Sequence, residues 1–459
     1  MEKESTDDVI YTCVSFIILM RNLLQLLYVF DDVTKKLTVN NKKRRKRKSD
    51  SDLLFHNKRT RVLWHPFVRA LGPLNFKVHH RISLTLFNKI HSKIKKHIFT
   101  DPKYVRKSCC SGHVSHIDSR SRLSMTLKHL AGSKMQDIQQ AHGVSRSSVV
   151  HAINITMDAI IEEFGIPPFP FDDREALQKL ADGFKKKSTG GLFTHLVCVF
   201  DGLLLKISKR CIGKNSGIKD PSKYYCRKGH YAINCQLGCD ANRKVISLSM
   251  LSPGAVPDRL AHVKSSIHRC IETGRLPEEF YFGGDNAYPT SEQMLTPFTR
   301  QQMRNDFQGW MDNYNFYFSQ LRINIECCFG MIINKFPILL AALLTPRIDT
   351  ACKTFNVCCC LHNLCIDERL SDVDDVARSF PPRRRYTQVN TNARGGLLTE
   401  ESDFAFVDVM DEVRADELMS VSANVGPQCI EEDTTQLSRK EKMMFKIAAK
   451  GYIRPKKTN

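Results

Sequence analysis

Three acidic residues occupy three different local settings in this chain. Asp201 closes the apolar run LVCVFDG at 196–202, and Asp285 closes a second short run within FYFGGDNAYP at 280–289. Glu326 lies in mid-helix, within SQLRINIECCFGMIINKF at 319–336. Two acids at strand ends and one on a helix can converge on one point. A convergent set of this kind holds a pair of divalent ions, which activate a water and stabilise the leaving oxygen when a phosphodiester is cut. Mg²⁺ or Mn²⁺ suits it, because Mg²⁺ takes oxygen ligands and keeps waters beside one or two carboxylates and a substrate phosphate. Each acid taken alone reads as a turn, a cap or a solvent-facing residue. Their order and the elements that carry them point to the chemistry.

The helix around Glu326 supplies a second argument. Asn315, Ser319, Arg322, Glu326 and Gly330 recur at three- to four-residue steps and share a polar face. Ile325, Phe329, Ile332 and Phe336 form the expected core stripe. Arg322 stands one turn before Glu326, where it can pair with that carboxylate or with a scissile phosphate. Asp258 opens a further helical pattern. It is either an extra acid near the metals or only a helix cap.

The elements that must position these residues follow from patterning. THLVCVFDGLLLKI at 194–207 reads as a buried strand, YAINCQLGCD at 231–240 as a second, and KVISLSML at 244–251 as its hairpin partner across Ala241-Asn242. Residues 258–272 have helical spacing, with Leu260, Val263, Ile267 and Ile271 inward, and FYFGG follows as another strand. Three strands, a helix, a strand and then helices predict an α/β fold with an RNase H-like mixed sheet flanked by helices. In such a sheet the first and fourth strands are neighbours, which sets Asp201 beside Asp285.

An all-helical region precedes the sheet. Residues 62–100 alternate apolar and basic positions, and Leu123, Met125, Leu127 and Leu130 predict a helix that closes near Gly132. Residues 135–158 predict a helix-turn-helix. Ile138, Val144, Val149 and Ala152 face inward, Gly143 makes the turn and Ser145 caps the second helix, although His142 is a poor fit to its inward position. Arg146, Ser147, His151 and Asn154 would then face DNA phosphates and base edges. IPPFPFDD at 166–173 marks the boundary.

The chain has 459 residues, 42% hydrophobic, with a formal net charge of +21 and a pI near 9.3. That balance favours a polyanionic partner, above all nucleic acid. Its 17 cysteines follow no disulfide spacing and predict free thiols in a reducing compartment. Cys109, Cys110, His113 and His116 cluster without a Cys-x₂-Cys pair, a weak zinc pattern, and the cysteines at 358–365 read as core. The apolar stretch 9–30 is long enough to span a bilayer. Arg21 near its middle and the acidic start MEKESTDD favour a buried helix over a membrane or secretory segment. NKKRRKRKSDSD at 41–52 reads as a nuclear signal, or else as a charged linker.

Residues 194–366 resemble the transposase domain of PIF/Harbinger-type DDE elements and the host proteins derived from them. The matching stretches are VFDG at 199–202, YYCRKGHYAINCQLGCD at 224–240, SPGAVPD at 252–258, GGDNAYP at 283–289, YNFYFSQLRINIECCFGMIINKFPIL at 314–339 and CCLHNLCI at 359–366. LKHLAG at 127–132 and GVSRSSVVHAI at 143–153 are similar to that family's helix-turn-helix. The resemblance implies that Asp201, Asp285 and Glu326 are DDE metal ligands of a DNA endonuclease, with strand transfer as an optional second step. It also implies a Myb-like DNA-binding partner, and self-association is a further expectation. The sequence departs from the family where Pro257 and Phe318 replace its usual histidines, which gives a non-catalytic DNA-binding or scaffold protein as the alternative.

The resulting domain plan is an apolar helix at 1–40, a basic linker at 41–60, a helical DNA-binding region at 61–165, the catalytic domain at 166–370 and a mostly disordered tail at 371–459. A short basic helix near the end of the tail is expected to be solvated rather than to touch DNA. The expected location is the nucleus, with a cytoplasmic pool.

Overall fold

In the computed structural model, the structure describes residues 62–100, 116–213, 216, 218–306, 308–371, 390–391, 397–398 and 437–455. The apolar stretch 9–30, the basic run 41–52, the cysteines at 109–110, His113 and most of the expected tail lie outside them.

Five helices form the first layer. They are α1 (Trp64–His80), α2 (Leu84–Ile94), α3 (Ser119–Leu130), α4 (Met135–His142) and α5 (Arg146–Phe164). α1 is interrupted where Gly72 takes φ 69° ahead of Pro73, whose ring and missing N–H break a continuous helix. α2, α3 and α5 start on side-chain caps from Ser83, Asp118 and Ser145, each accepting a backbone N–H three residues on. α4 ends at Gly143 with φ 61°, the left-handed residue that a sharp turn between two helices requires. Ile138, Val144, Val149 and Ala152 are all buried, and so is His142. Its ring nitrogen makes that polar position tolerable by reaching Ser124 Oγ at 3.4 Å.

The sheet comprises β1 (Leu196–Lys206), β2 (Ala232–Cys239), β3 (Val245–Pro253), β4 (Tyr281–Gly283) and β5 (Met294–Leu295), in the order β3-β2-β1-β4-β5. β1, β2 and β3 are antiparallel neighbours, while β4 runs parallel to β1 and β5 parallel to β4. The fold is therefore mixed α/β. α6 (Arg174–Lys187) packs on β1, α9 (Trp310–Lys335) lies across β1 and β2, and α10 (Ile348–Ser371) bridges β3 to α5. The core runs continuously from the helical layer to the sheet. The described cysteines are free thiols, and those at 358–360 and 365 are buried, as their apolar setting predicts. Among the described residues no helix is long and apolar enough to cross a membrane.

The structure changes three expectations. Residues 258–272 form two short helices, α7 (Asp258–Val263) and α8 (Ser266–Glu272). Ser265 caps α8 and resets the helical phase, so Ala261 and His262 are buried while Leu260 and Val263 are exposed. The core stripe of α9 runs through Tyr314, Phe318, Leu321, Ile325, Cys328 and Ile332, with Phe329 only half-buried. Finally, α11 (Arg439–Ala449) is not solvated. Met443, Met444 and Ile447 are buried against α9, Phe445 packs edge-on to Trp310, and Ser438 with Glu441 closes a capping box.

Candidate active site

β1 pairs with β4 from Leu196 opposite Tyr281 as far as Val199 opposite Gly283. Two residues further along each chain stand Asp201 and Asp285. Asp201 is therefore not at the tip of its strand, as its place after an apolar run suggests. It sits where the pairing with β4 has ended and β1 continues with β2 alone, Asp201 facing Leu237 and Gly202 facing Gln236. The gap that opens beyond Gly283 is where the two carboxylates meet.

Their electrostatics register this placement. Burial pushes the Asp201 carboxyl up to about 7, and the neighbouring Asp285 pushes in the same direction. The Gly202 N–H, 2.7 Å from Asp201 Oδ1, and Arg322 oppose the rise. Asp285 is also raised, first by burial and further by Asp258, against the Ala287 N–H at 2.8 Å, Arg322 and Arg227. Two partly buried acids, each raised by burial and by a neighbouring carboxylate, make a site short of positive charge. A divalent cation with an oxygen preference fits that need.

Glu326 projects from α9 at the rim of the site, its side chain 47% exposed. Arg322, one turn earlier, ion-pairs with Glu326 and holds Nη1 at 3.8 Å from Asp201 Oδ2. The ion pair expected between Arg322 and Glu326 is thus present, beside Asp201. Among the described residues no group of three or more His, Cys, Asp or Glu is arranged to hold a metal ion. Within the triad, the Arg322 guanidinium reaches both Asp201 and Glu326. For all three acids to share a metal, Glu326 must leave Arg322, and its exposed rotamer leaves it free to turn.

Asp258 is settled by its hydrogen bonds. Pro257 is the cap of α7, and the Asp258 side chain does not serve as one. Asp258 Oδ1 instead accepts from Asn234 Nδ2 at 2.9 Å and Gln236 Nε2 at 3.0 Å. Gln236 Oε1 in turn accepts the Tyr288 hydroxyl. This buried network ties α7 to the middle of β2 directly behind Asp201 and Asp285. Asn234, Gln236 and Tyr288 were not among the expected site residues. The signal was present, since two amides at alternate positions of an otherwise apolar strand share one face and need buried partners. Arg227, on the exposed loop before β2, is a second addition, with its charge close enough to lower Asp285. Phe318, at one of the departures, is fully buried and stacks on Tyr314 at 5.6 Å. It fills the core and leaves the acids untouched.

The residues expected to touch DNA lie on α5, away from these acids in sequence. Arg146, Ser147 and His151 are exposed, whereas Asn154 is half-buried.

Residues 200–363 match the family model described as DDE superfamily endonuclease. This stretch is a DDE superfamily endonuclease domain. It begins one residue before Asp201 and contains Asp285, Glu326 and the Asp258 network. The chain is similar to the "Putative nuclease HARBI1" of Mus musculus, 24% identical over 242 residues that cover 52% of this chain and 64% of the relative. The Homo sapiens protein of the same description is 22% identical over 243 residues, covering 52% and 64%. That of Xenopus laevis is 20% identical over 258 residues, covering 55% and 67%. The match thus spans less than two thirds of the length of the mouse and human relatives. No solved structure matches the chain. The DDE domain begins at the heart of β1 and ends within α10, so α1 to α6 and α11 are outside it.

Proposed function

We propose that this chain is a metal-dependent DNA endonuclease of transposase origin, cutting phosphodiesters at Asp201, Asp285 and Glu326. The observation that carries the reading is the β1/β4 register, which lays two partly buried aspartates side by side with Arg322 and Arg227 as the cations that offset their charge. Asp201 and Asp285 would hold Mg²⁺ or Mn²⁺, with Glu326 joining once released from Arg322. The ions supply activation of water and charge stabilisation at the leaving oxygen. The chain's own residues then orient the substrate. Arg322 and Arg227 are placed to meet phosphate oxygens, and the Asn234–Gln236–Asp258–Tyr288 network keeps the sheet rigid beneath the acids. Cleavage leaves a 3′-hydroxyl, and strand transfer would use that hydroxyl as the next nucleophile.

The α4–α5 pair is read as a helix-turn-helix that presents Arg146, Ser147 and His151 to DNA. Residues 41–52 are read as a nuclear address, a Myb-like protein as the DNA-binding partner, and self-association as the assembly on two DNA ends. The test is cleavage of duplex DNA with Mg²⁺ by wild type, Asp201→Ala and Asp285→Ala. The variants should lose activity by roughly 10²–10³-fold or more, the scale of removing one preorganised electrostatic contact. Equal cutting by all three ends the proposal.

A second reading is a DNA-binding or scaffold protein without cleavage. The ion pair between Arg322 and Glu326 favours it, because that pair engages the third acid. Divalent-ion titration followed by melting temperature separates the two. Stabilisation that disappears in Asp285→Ala supports the nuclease, and none in either protein supports the scaffold.

A further inference from the structure

The stretch 62–100 contains seven Lys or Arg and no Asp or Glu. Its helices do not spread that charge evenly. Between α1, α2 and the first turn of α3 runs a groove of about 570 Å³ whose lining includes Trp64, Arg69, Asn88, His91, Lys95 and Arg120. Arg120 comes from α3, so three elements each place one permanent cation on the same groove. Burial and the neighbouring Arg120 and Lys95 charges depress the His91 imidazole, against the raising effect of Asp118. None of Arg120, Lys95 and Arg69 has a carboxylate partner among the described residues. The contrast with the adjacent Lys96 is instructive, since it is paired with Glu163 of α5. Asp118, the acid whose charge acts on His91, is committed to the Ser121 N–H as the cap of α3.

The floor is built to last. Trp64 stacks on Phe87 at 4.7 Å between centroids, and His91 Nε2 is fixed to Ser119 Oγ at 2.8 Å. Cations that converge on a rigid floor without internal partners match a ligand that brings its own negative charges at regular intervals. Duplex DNA does so, and release of its condensed counterions rewards each phosphate contact.

We infer that the α1–α2–α3 groove is a second DNA contact, which seats the phosphate backbone on Arg69, Lys95 and Arg120, separate from the α4–α5 face. It rests on the DNA reading above and deepens it. The groove positions the duplex without reading sequence, because phosphate contacts fix orientation and base contacts specify.

The test is fluorescence anisotropy with the full chain, a labelled duplex of arbitrary sequence and EDTA, so that no cutting intervenes. Arg69→Ala/Lys95→Ala/Arg120→Ala should flatten the plot of log affinity against log salt by about 2 to 3 in slope, at roughly 0.9 per lost phosphate contact. Arg120→Ala alone should flatten it by about 1, which keeps the test sound if the triple variant folds poorly. Lys179→Ala/Lys185→Ala/Lys186→Ala removes the same charge from α6 and should leave the slope unchanged. An unchanged slope in the groove variants overturns the inference, and so does equal flattening by the α6 control. A larger groove dependence for hairpin RNA than for the duplex overturns the choice of DNA. Wild type that cuts DNA while showing no groove dependence sinks this inference alone. A flat salt profile in wild type sinks the DNA reading with it.

Discussion

Arg322 Nη1 stands 3.8 Å from Asp201 Oδ2 while the same guanidinium grips Glu326 one helical turn away. A single cation thus engages two of the three acids. Arg322→Gln should make divalent ions bind more tightly, because neither acid is any longer engaged. The pair is partly exposed and worth no more than about 1 kcal/mol, so the gain is roughly two- to fivefold in apparent Mn²⁺ affinity by calorimetry. Cleavage should slow in the same variant as a phosphate contact is lost. Unchanged or weaker Mn²⁺ binding would show that Arg322 does not compete for these carboxylates.

Gly202 leaves no room for a side chain. A Cβ there would overlap Asp258 Oδ1 and come within 2.9 Å of Gln236 Nε2. Gly202→Ala should cost about 1–3 kcal/mol, the usual range for overfilling a packed interior, measured by urea unfolding. Asp258→Ala in the same chain removes the collision and should recover part of that loss. Strict additivity of the two substitutions would refute the contact as the cause.

Tyr288 and Gln236 test the network by deletion. Tyr288→Phe removes the hydroxyl donor and strands the Gln236 carbonyl oxygen in a buried setting. An unsatisfied buried acceptor costs about 1–3 kcal/mol. Denaturant unfolding should show that loss. A change under roughly 0.5 kcal/mol, typical of surface substitutions, would mean that the bond contributes nothing.

The helical region should be acid-sensitive. His80 Nε2 lies 2.8 Å from Ser124 Oγ, which also meets His142. Burial lowers His80 to about 3 and His142 to about 4, from 6.5. The folded pKa values lie below the unfolded ones, so the unfolded chain takes up protons first. Stability is complete above about pH 6.5 and falls as pH drops toward 4, with a slope approaching 1.4 kcal/mol per pH unit for each histidine. Urea midpoints at pH 7.5, 6 and 5 should follow that trend, and His142→Gln should reduce the slope. An identical slope in the variant would place the acid sensitivity elsewhere.

The sequence carried the large elements because their signals are long. β1, β2 and β3 are runs or alternations of eight or more residues, and the helix-capping residues Ser83, Asp118 and Ser145 are visible as residue types. β5 is only Met294–Leu295 and has no period to detect. The break at Ser265 was hidden by a continuous helical spacing that ran through a capping residue. The acids of the site were legible as three separate features. Their relation was not, because it depends on where the β1/β4 pairing stops and on which acid Arg322 chooses. Asn234, Gln236 and Tyr288 were missed because polar residues in a buried strand declare a need for partners without naming them.

α11 has a consequence for how this protein can be handled. Arg439 donates to the carbonyl oxygens of Glu278, Glu279 and Phe280 and lies over the Tyr281 ring, while Tyr317 bonds to the Ile453 carbonyl and Arg454 pairs with Asp312. Residues 437–455 are therefore a keystone of the sheet edge, although the DDE match stops at 363. A recombinant fragment trimmed to that match would expose Met443's and Ile447's seat on α9.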